Sequence, residues 1–217
     1  MNENNIVLQQ PIYLRIFAKI ISYIFHPLFI PAYIFFWLTI RFPYEFAGIT
    51  PFEMFARKFN VIWITAFFPA FAVFLLWRLK FINSMLLKTQ KERIIPYAIT
   101  MIFYWWMWYL SRNFTDQPSV LKFFYFGIFL ATVAGLSFNN FFKISMHAMG
   151  VGGAFVCVLL TCFTYHMHLG ADICLVTIIT GLVCTARLLL NDHYPGDIYM
   201  GLFTGAICQL IAYPLMM

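Results

Sequence analysis

The sequence predicts an all-α bundle that threads a membrane six or seven times. Three observations carry this reading. Of the 217 residues, 63% are hydrophobic and only 10% are charged, with a mean hydropathy of +0.81, far outside the range of soluble domains. The apolar residues fall into runs of about 20, the length a helix needs to cross the hydrocarbon core. The runs are flanked by aromatic and basic residues, as at Trp77, Arg78 and Lys80, which anchor helix ends in the headgroup region. Such a chain leaves no room for a separate soluble domain. Residues 1–217 read as a single unit, with helices from 1–79 leading into a core of about 80–217 that holds the polar motifs.

The first apolar segment, 11–41, carries Arg15 and Lys19 early and His26, Pro27 and Pro31 in its middle. It reads either as an interfacial amphipathic helix followed by a crossing from 26 to 41, or as one kinked span. His26, beside Pro27, reads as structural. Residues 42–58, with Glu45, Glu53, Arg57 and Lys58, read as a loop outside the membrane. A second span is expected over 59–79. The stretch 88–97, KTQKERIIPY, is the most charged in the chain, and taken alone it reads as a solvated basic loop. A third span, about 95–110, ends in Tyr104, Trp105, Trp106, Trp108 and Tyr109, an aromatic belt. The fourth is expected over about 123–142 and the fifth from KISMHAMGVGG to Tyr165. There Gly150, Gly152 and Gly153 permit close helix contact. The sixth covers about 171–190. The seventh runs from Ile198 to the C-terminus, with Gly201 and Gly205 in small-xxx-small spacing.

The balance of 14 Lys and Arg against 8 Asp and Glu would suit nucleic acid in a soluble protein. In this apolar chain it points to lipid headgroups or an anionic substrate, with membrane lipid as the partner and no role for nucleic acid. Cys157, Cys162, Cys174, Cys184 and Cys208 all lie within apolar runs without a CxxC pair, so they read as buried hydrophobes. The first ten residues lack the pattern of a cleaved signal peptide, and the first helix is expected to be retained.

Alternation of helix direction sorts the polar residues. The loop at 80–95, the junction at 143–147 and the turn at 187–197 are each two crossings apart, so they share one side of the membrane. That side collects Lys88, Lys91, Arg93, Lys143, Ser145, His147, Arg187, His193 and Asp197. Ionisable residues at membrane depth are costly and mark functional sites. Cations around two histidines and a carboxylate suit a phosphate or diphosphate, because Arg offers a planar fork to phosphate oxygens and Lys a point charge. A histidine held by a carboxylate is a good nucleophile or base, and a second histidine can protonate a leaving alkoxide. Pro195 suits the first turn of the last helix, whose N-terminal dipole favours an anion. Carboxylates other than Asp192 and Asp197 are lacking, which argues against a magnesium-dependent site and for one without a cofactor.

These residues resemble the motifs of the type 2 phosphatidic acid phosphatase superfamily, the relatives of vanadium haloperoxidases and bacterial nonspecific acid phosphatases. Arg187, His193 and Asp197 match its third motif in spacing. Ser145 and His147 match the second, and KTQKERIIP resembles the first more loosely. The resemblance, which spans about 88–201, implies that His193 attacks phosphorus and becomes phosphohistidine while Asp197 orients it. It implies that His147 protonates the leaving group, and that Lys88 or Lys91, with Arg93, Arg187 and Ser145, holds the phosphate. Four departures from the pattern stand in the sequence: Ala186 replaces the serine before the arginine, Ile144 and Met146 replace Pro and Gly, and Ile-Ile-Pro rather than Pro follows Arg93. No lysine lies at the family's usual offset before Arg93, and Lys143 is the alternative cation, with a snorkelling anchor as its competing role.

The expected activity is metal-independent hydrolysis of a lipid phosphate or polyprenyl diphosphate in a bacterial inner membrane. The alternatives are a catalytically degenerate phospholipid-binding or transport protein, and a haem or quinone protein using His147 with His166 or His193. His166 and His168, at the opposite end of the fifth span, read as interfacial.

Overall fold

The computed structural model describes residues 10–217 apart from Leu86, Lys88 and Phe142. It is an all-α polytopic bundle. Six helical stretches are long and apolar enough to cross a membrane: Ile12–Arg41, Pro51–Arg78, Ser119–Phe138, Met146–Tyr165, Gly170–Leu189 and Pro195–Met216. The chain is therefore a multi-pass integral membrane protein.

The first stretch is broken. Helix α1 (Ile12–Ile24) ends before His26, a 3₁₀ turn follows over Pro27–Phe29, and α2 covers Ile30–Arg41. Pro27 and Pro31 each lack an N–H, so neither can continue a preceding helix. α1 packs mainly against the sixth apolar run, the helix α8 (Gly170–Leu189). It buries only Ala18, Ile21 and Ser22, while Ile12, Ile16, Phe17, Ile20 and Ile24 remain exposed. That outer surface suits lipid.

Residues 51–58 depart from expectation, because they are helical. Thr50 accepts the Glu53 N–H while the Glu53 carboxylate takes the Thr50 N–H, and Pro51 occupies the first turn. This reciprocal cap starts α3 (Pro51–Ile62) eight residues ahead of the expected span and places Glu53, Arg57 and Lys58 on a helix. A π-helical turn, Trp63–Phe67, joins α3 to α4 (Phe68–Arg78). It lies just before Pro69, which has no N–H to give the preceding turn.

A second capping box, Thr89 with Glu92, starts α5 (Gln90–Asn113), so Lys91 and Arg93 ride on a helix rather than in a loop. α5 runs antiparallel to α6 (Ser119–Phe138). Asn139 Nδ2 donates to the Gln90 carbonyl at one end, and Trp108 packs on Phe126 farther along. α5 thus makes a seventh traverse of the bundle.

Helices α7 (Met146–Tyr165) and α9 (Pro195–Met216) form the closest-packed pair. A Cβ on Gly205 would run into the Met149 carbonyl oxygen, one on Gly152 into Leu202, and one on Gly201 into the Ser145 carbonyl oxygen. The expected small-residue contact is therefore real. It also draws the start of α9 against the start of α7.

Candidate functional site: a cationic histidine cluster at one end of the bundle

Backbone bonds tie together the three segments that alternation assigned to one side. The Arg93 guanidinium donates to the Ile144 carbonyl at 3.0 Å and to Leu87 at 3.0 Å. Ser145 N–H donates to the Asp197 carbonyl at 3.1 Å, and Lys143 Nζ donates to the Asp192 carbonyl at 3.2 Å. Two residues with positive φ shape the connecting loops. Asn191 (φ 54°) reverses the chain after α8, a conformation asparagine tolerates. Leu87 (φ 48°) takes the same region against its side chain's preference, at the carbonyl that anchors Arg93.

His193 is buried, with Nδ1 3.0 Å from the Lys143 carbonyl oxygen. A carbonyl only accepts, so Nδ1 carries the proton and Nε2 of the neutral ring keeps its lone pair. The nearest Asp197 oxygen lies 3.6 Å from Nδ1, beyond good hydrogen-bond length, and it accepts the Tyr194 N–H at 3.1 Å. The expected orienting contact is thus made by the Lys143 carbonyl, with Asp197 one step back as a charge partner and helix cap. The reason is local. Asp197 lies at the third position of α9, where its carboxylate reaches back to the N-terminal N–H groups.

Burial, then the positive charges of Arg93 and Arg187, lower the His193 pKa to about 4; Asp197 opposes them and Lys143 adds to them. At pH 7 the ring is neutral.

Arg187 pairs with Asp192 at 2.6 Å and donates to the Ser22 hydroxyl at 3.3 Å, while its buried Nε has no hydrogen-bond partner. His147 Nε2 lies 3.1 Å from the Ser22 carbonyl oxygen, and the ring of His26 stands edge-on to His147 at 5.2 Å between centroids. Ser145 is fully buried and caps α7, its hydroxyl accepting the Ala148 N–H at 3.4 Å. Lys91 is exposed in the first turn of α5, whereas the charge of Lys143 acts on His193. Lys88 lies outside the described residues.

The structure therefore brings together Arg93, Lys143, Ser145, His147, Arg187, His193 and Asp197, and Lys91 makes none of the contacts that join them. Three residues were missed at the sequence level: Ser22, His26 and Asp192 as the partner of Arg187. The alternation argument, extended two crossings earlier, assigns 22–27 to the same side and would have flagged the first two. Among the described residues, no group of three or more His, Cys, Asp or Glu has metal-site geometry. Comparison with protein-family models, curated proteins and solved structures finds no match for the chain.

Proposed function

We propose that the chain is a metal-independent membrane phosphatase that hydrolyses a lipid phosphate or isoprenoid diphosphate through a phosphohistidine, in a bacterial cell membrane. The observation that carries this reading is His193: a buried, neutral imidazole whose Nδ1–H is held by a backbone carbonyl, so that Nε2 keeps its lone pair, and on whose ring the charges of Arg93, Arg187 and Lys143 act. The resemblance of Arg187, His193 and Asp197 to the third phosphatase motif supports it, as does the unpartnered Nε–H of Arg187, a donor suited to a phosphate oxygen.

In this mechanism the Nε2 lone pair attacks phosphorus. The P–O bond to the leaving group breaks, and the departing oxygen takes a proton from His147. Water then attacks the phosphohistidine, giving its proton to His147, and the P–N bond breaks to release phosphate and restore both rings. Arg187, Arg93 and Lys143 hold the phosphoryl oxygens as negative charge builds on them. Among Lys88, Lys91 and Lys143, the last is the phosphate lysine in this reading. Asp197 stabilises the imidazolium from 3.6 Å.

One observation favours a second reading, a phosphate-lipid binding protein without turnover. The His193 ring rests on a neutral carbonyl rather than a carboxylate, which stabilises an imidazolium less. A phosphate-release panel over phosphatidate, phosphatidylglycerophosphate and undecaprenyl diphosphate separates the two. The phosphatase reading expects release that survives EDTA, is blocked by vanadate and is abolished in His193→Ala. Binding without release, or wild-type rates in His193→Ala, would overturn it.

A further inference from the structure

The last turn of α1 enters the site from a part of the chain more than a hundred residues away in sequence. Its carbonyls Ile21 to Ile24 are among the groups a helix leaves without internal partners. Phe25 N–H serves Ile21, the Tyr33 hydroxyl serves Ile24 at 2.8 Å, and His147 Nε2 serves Ser22 at 3.1 Å. The Ser22 hydroxyl accepts from Arg187 at 3.3 Å. One residue thus contacts both the second-motif histidine and the third-motif arginine. It is buried and lies with Ala18 and Ile21 on the only packed stripe of α1.

The geometry has two chemical consequences. A carbonyl acceptor on Nε2 requires that nitrogen to carry a proton, so Nδ1 is the edge of His147 left to face a substrate. A helix C-terminus also carries partial negative charge, which favours a cation beside it. α1 has no basic residue in its own last turn, so Arg187 is the cation there, and His147 becomes a second one when protonated. His26, two residues past the end of α1, packs edge-on against the same ring and closes the other side.

We propose that Ser22 is a positioning residue of the phosphate site. Its carbonyl fixes the tautomer of His147 and stabilises that ring when protonated, and its hydroxyl holds the Arg187 fork. The N-terminal helix is then a working part of the site rather than a membrane anchor for it. The kinetic consequences rest on the phosphatase reading above; the contact itself does not.

The test uses the full chain and two substrates, an alkyl phosphate lipid and p-nitrophenyl phosphate, whose phenolate leaves without a donated proton. Ser22→Ala should raise KM several-fold for both while leaving kcat for the aryl ester unchanged, and Ser22→Thr should restore it. Ala18→Trp, which wedges α1 off α8, should lower kcat for the alkyl phosphate by about tenfold or more and for the aryl ester by no more than about twofold. Equal losses on both substrates, or none, would overturn the proposal.

Histidine side-chain ¹⁵N spectra provide the arm that needs no activity. His147 should carry its proton on Nε2 in the wild type and lose that preference in Ala18→Trp. A wild-type ring protonated on Nδ1 alone sinks the proposal even in an active enzyme. A wild type that releases no phosphate from any ester but keeps the Nε2–H tautomer sinks only the phosphatase reading.

Discussion

The two ends of the bundle handle their arginines in opposite ways. At the end that holds Arg41 and Arg57, both guanidinium groups close on a carboxylate. Arg41 pairs with Asp172, which also accepts from Trp37 Nε1 at 2.9 Å, and Arg57 pairs with Asp116 and Gln117. These bonds fix helix ends to each other and use up the charge that makes them. At the histidine end, Arg93 rests on two backbone carbonyls and Lys143 on a third, while Arg187 has a half-exposed carboxylate and an unpartnered Nε. Carbonyls orient a cation without neutralising it. The difference is that between a structural ion pair and a cluster of cations held largely by backbone carbonyls.

The sharpest way to break this contrast is to remove an arginine from each end. Arg187→Ala should lower kcat/KM for phosphate release by about 10- to 100-fold, the worth of a charge-assisted bond to a phosphoryl oxygen. Arg41→Ala should leave kcat/KM unchanged and cost a little thermal stability, since exposed ion pairs contribute little. Comparable kinetic losses at both ends would erase the distinction.

Removing the carboxylates instead should give a smaller effect of opposite sign. Asp192 pairs with Arg187 and under the proposed function would compete there with substrate, so Asp192→Asn should lower KM a few-fold at low salt. Asp172→Asn, by removing the charge and one of the two accepting oxygens that Arg41 and Trp37 share, should lower the thermal midpoint slightly and leave KM alone.

The smallest expected effect concerns pH. The His193 pKa falls from 6.5 to about 4 on folding, chiefly through burial. Between those values the unfolded chain binds the extra proton and the folded one does not, so stability rises with pH across that window and is lost on acidification. His193→Gln should therefore flatten part of the dependence of thermal stability on pH between about 4 and 6.5. A slope identical to wild type would mean the ring titrates normally in the folded state.

Much of the architecture was legible in the sequence because a bilayer enforces it. Runs of apolar residues have no other stable environment, and their alternation fixes which polar turns meet. That reasoning placed Arg93, Lys143, His147, Arg187 and His193 at one end, where the structure joins them. It failed where side-chain capping outweighed composition. Charged residues at 51–58 and 90–93 looked like loops, yet the Thr50–Glu53 and Thr89–Glu92 boxes start helices there. Single contacts were less legible: the resemblance implied that Asp197 orients His193, and the structure sets the Lys143 carbonyl nearer to Nδ1, at 3.0 Å, than the Asp197 carboxylate, at 3.6 Å.

The sequence by itself determined that this is a helical membrane protein with a cluster of cations and histidines at one end, since burial of apolar surface and the cost of charge in lipid depend on composition and order alone. Only the tertiary structure decided which atom holds each ring, that Lys143 joins the cluster and that Ser22 belongs to it. Those outcomes depend on carbonyls at helix ends and on how closely α7 and α9 approach. Backbone groups are the same in every residue, so no sequence motif records where they point.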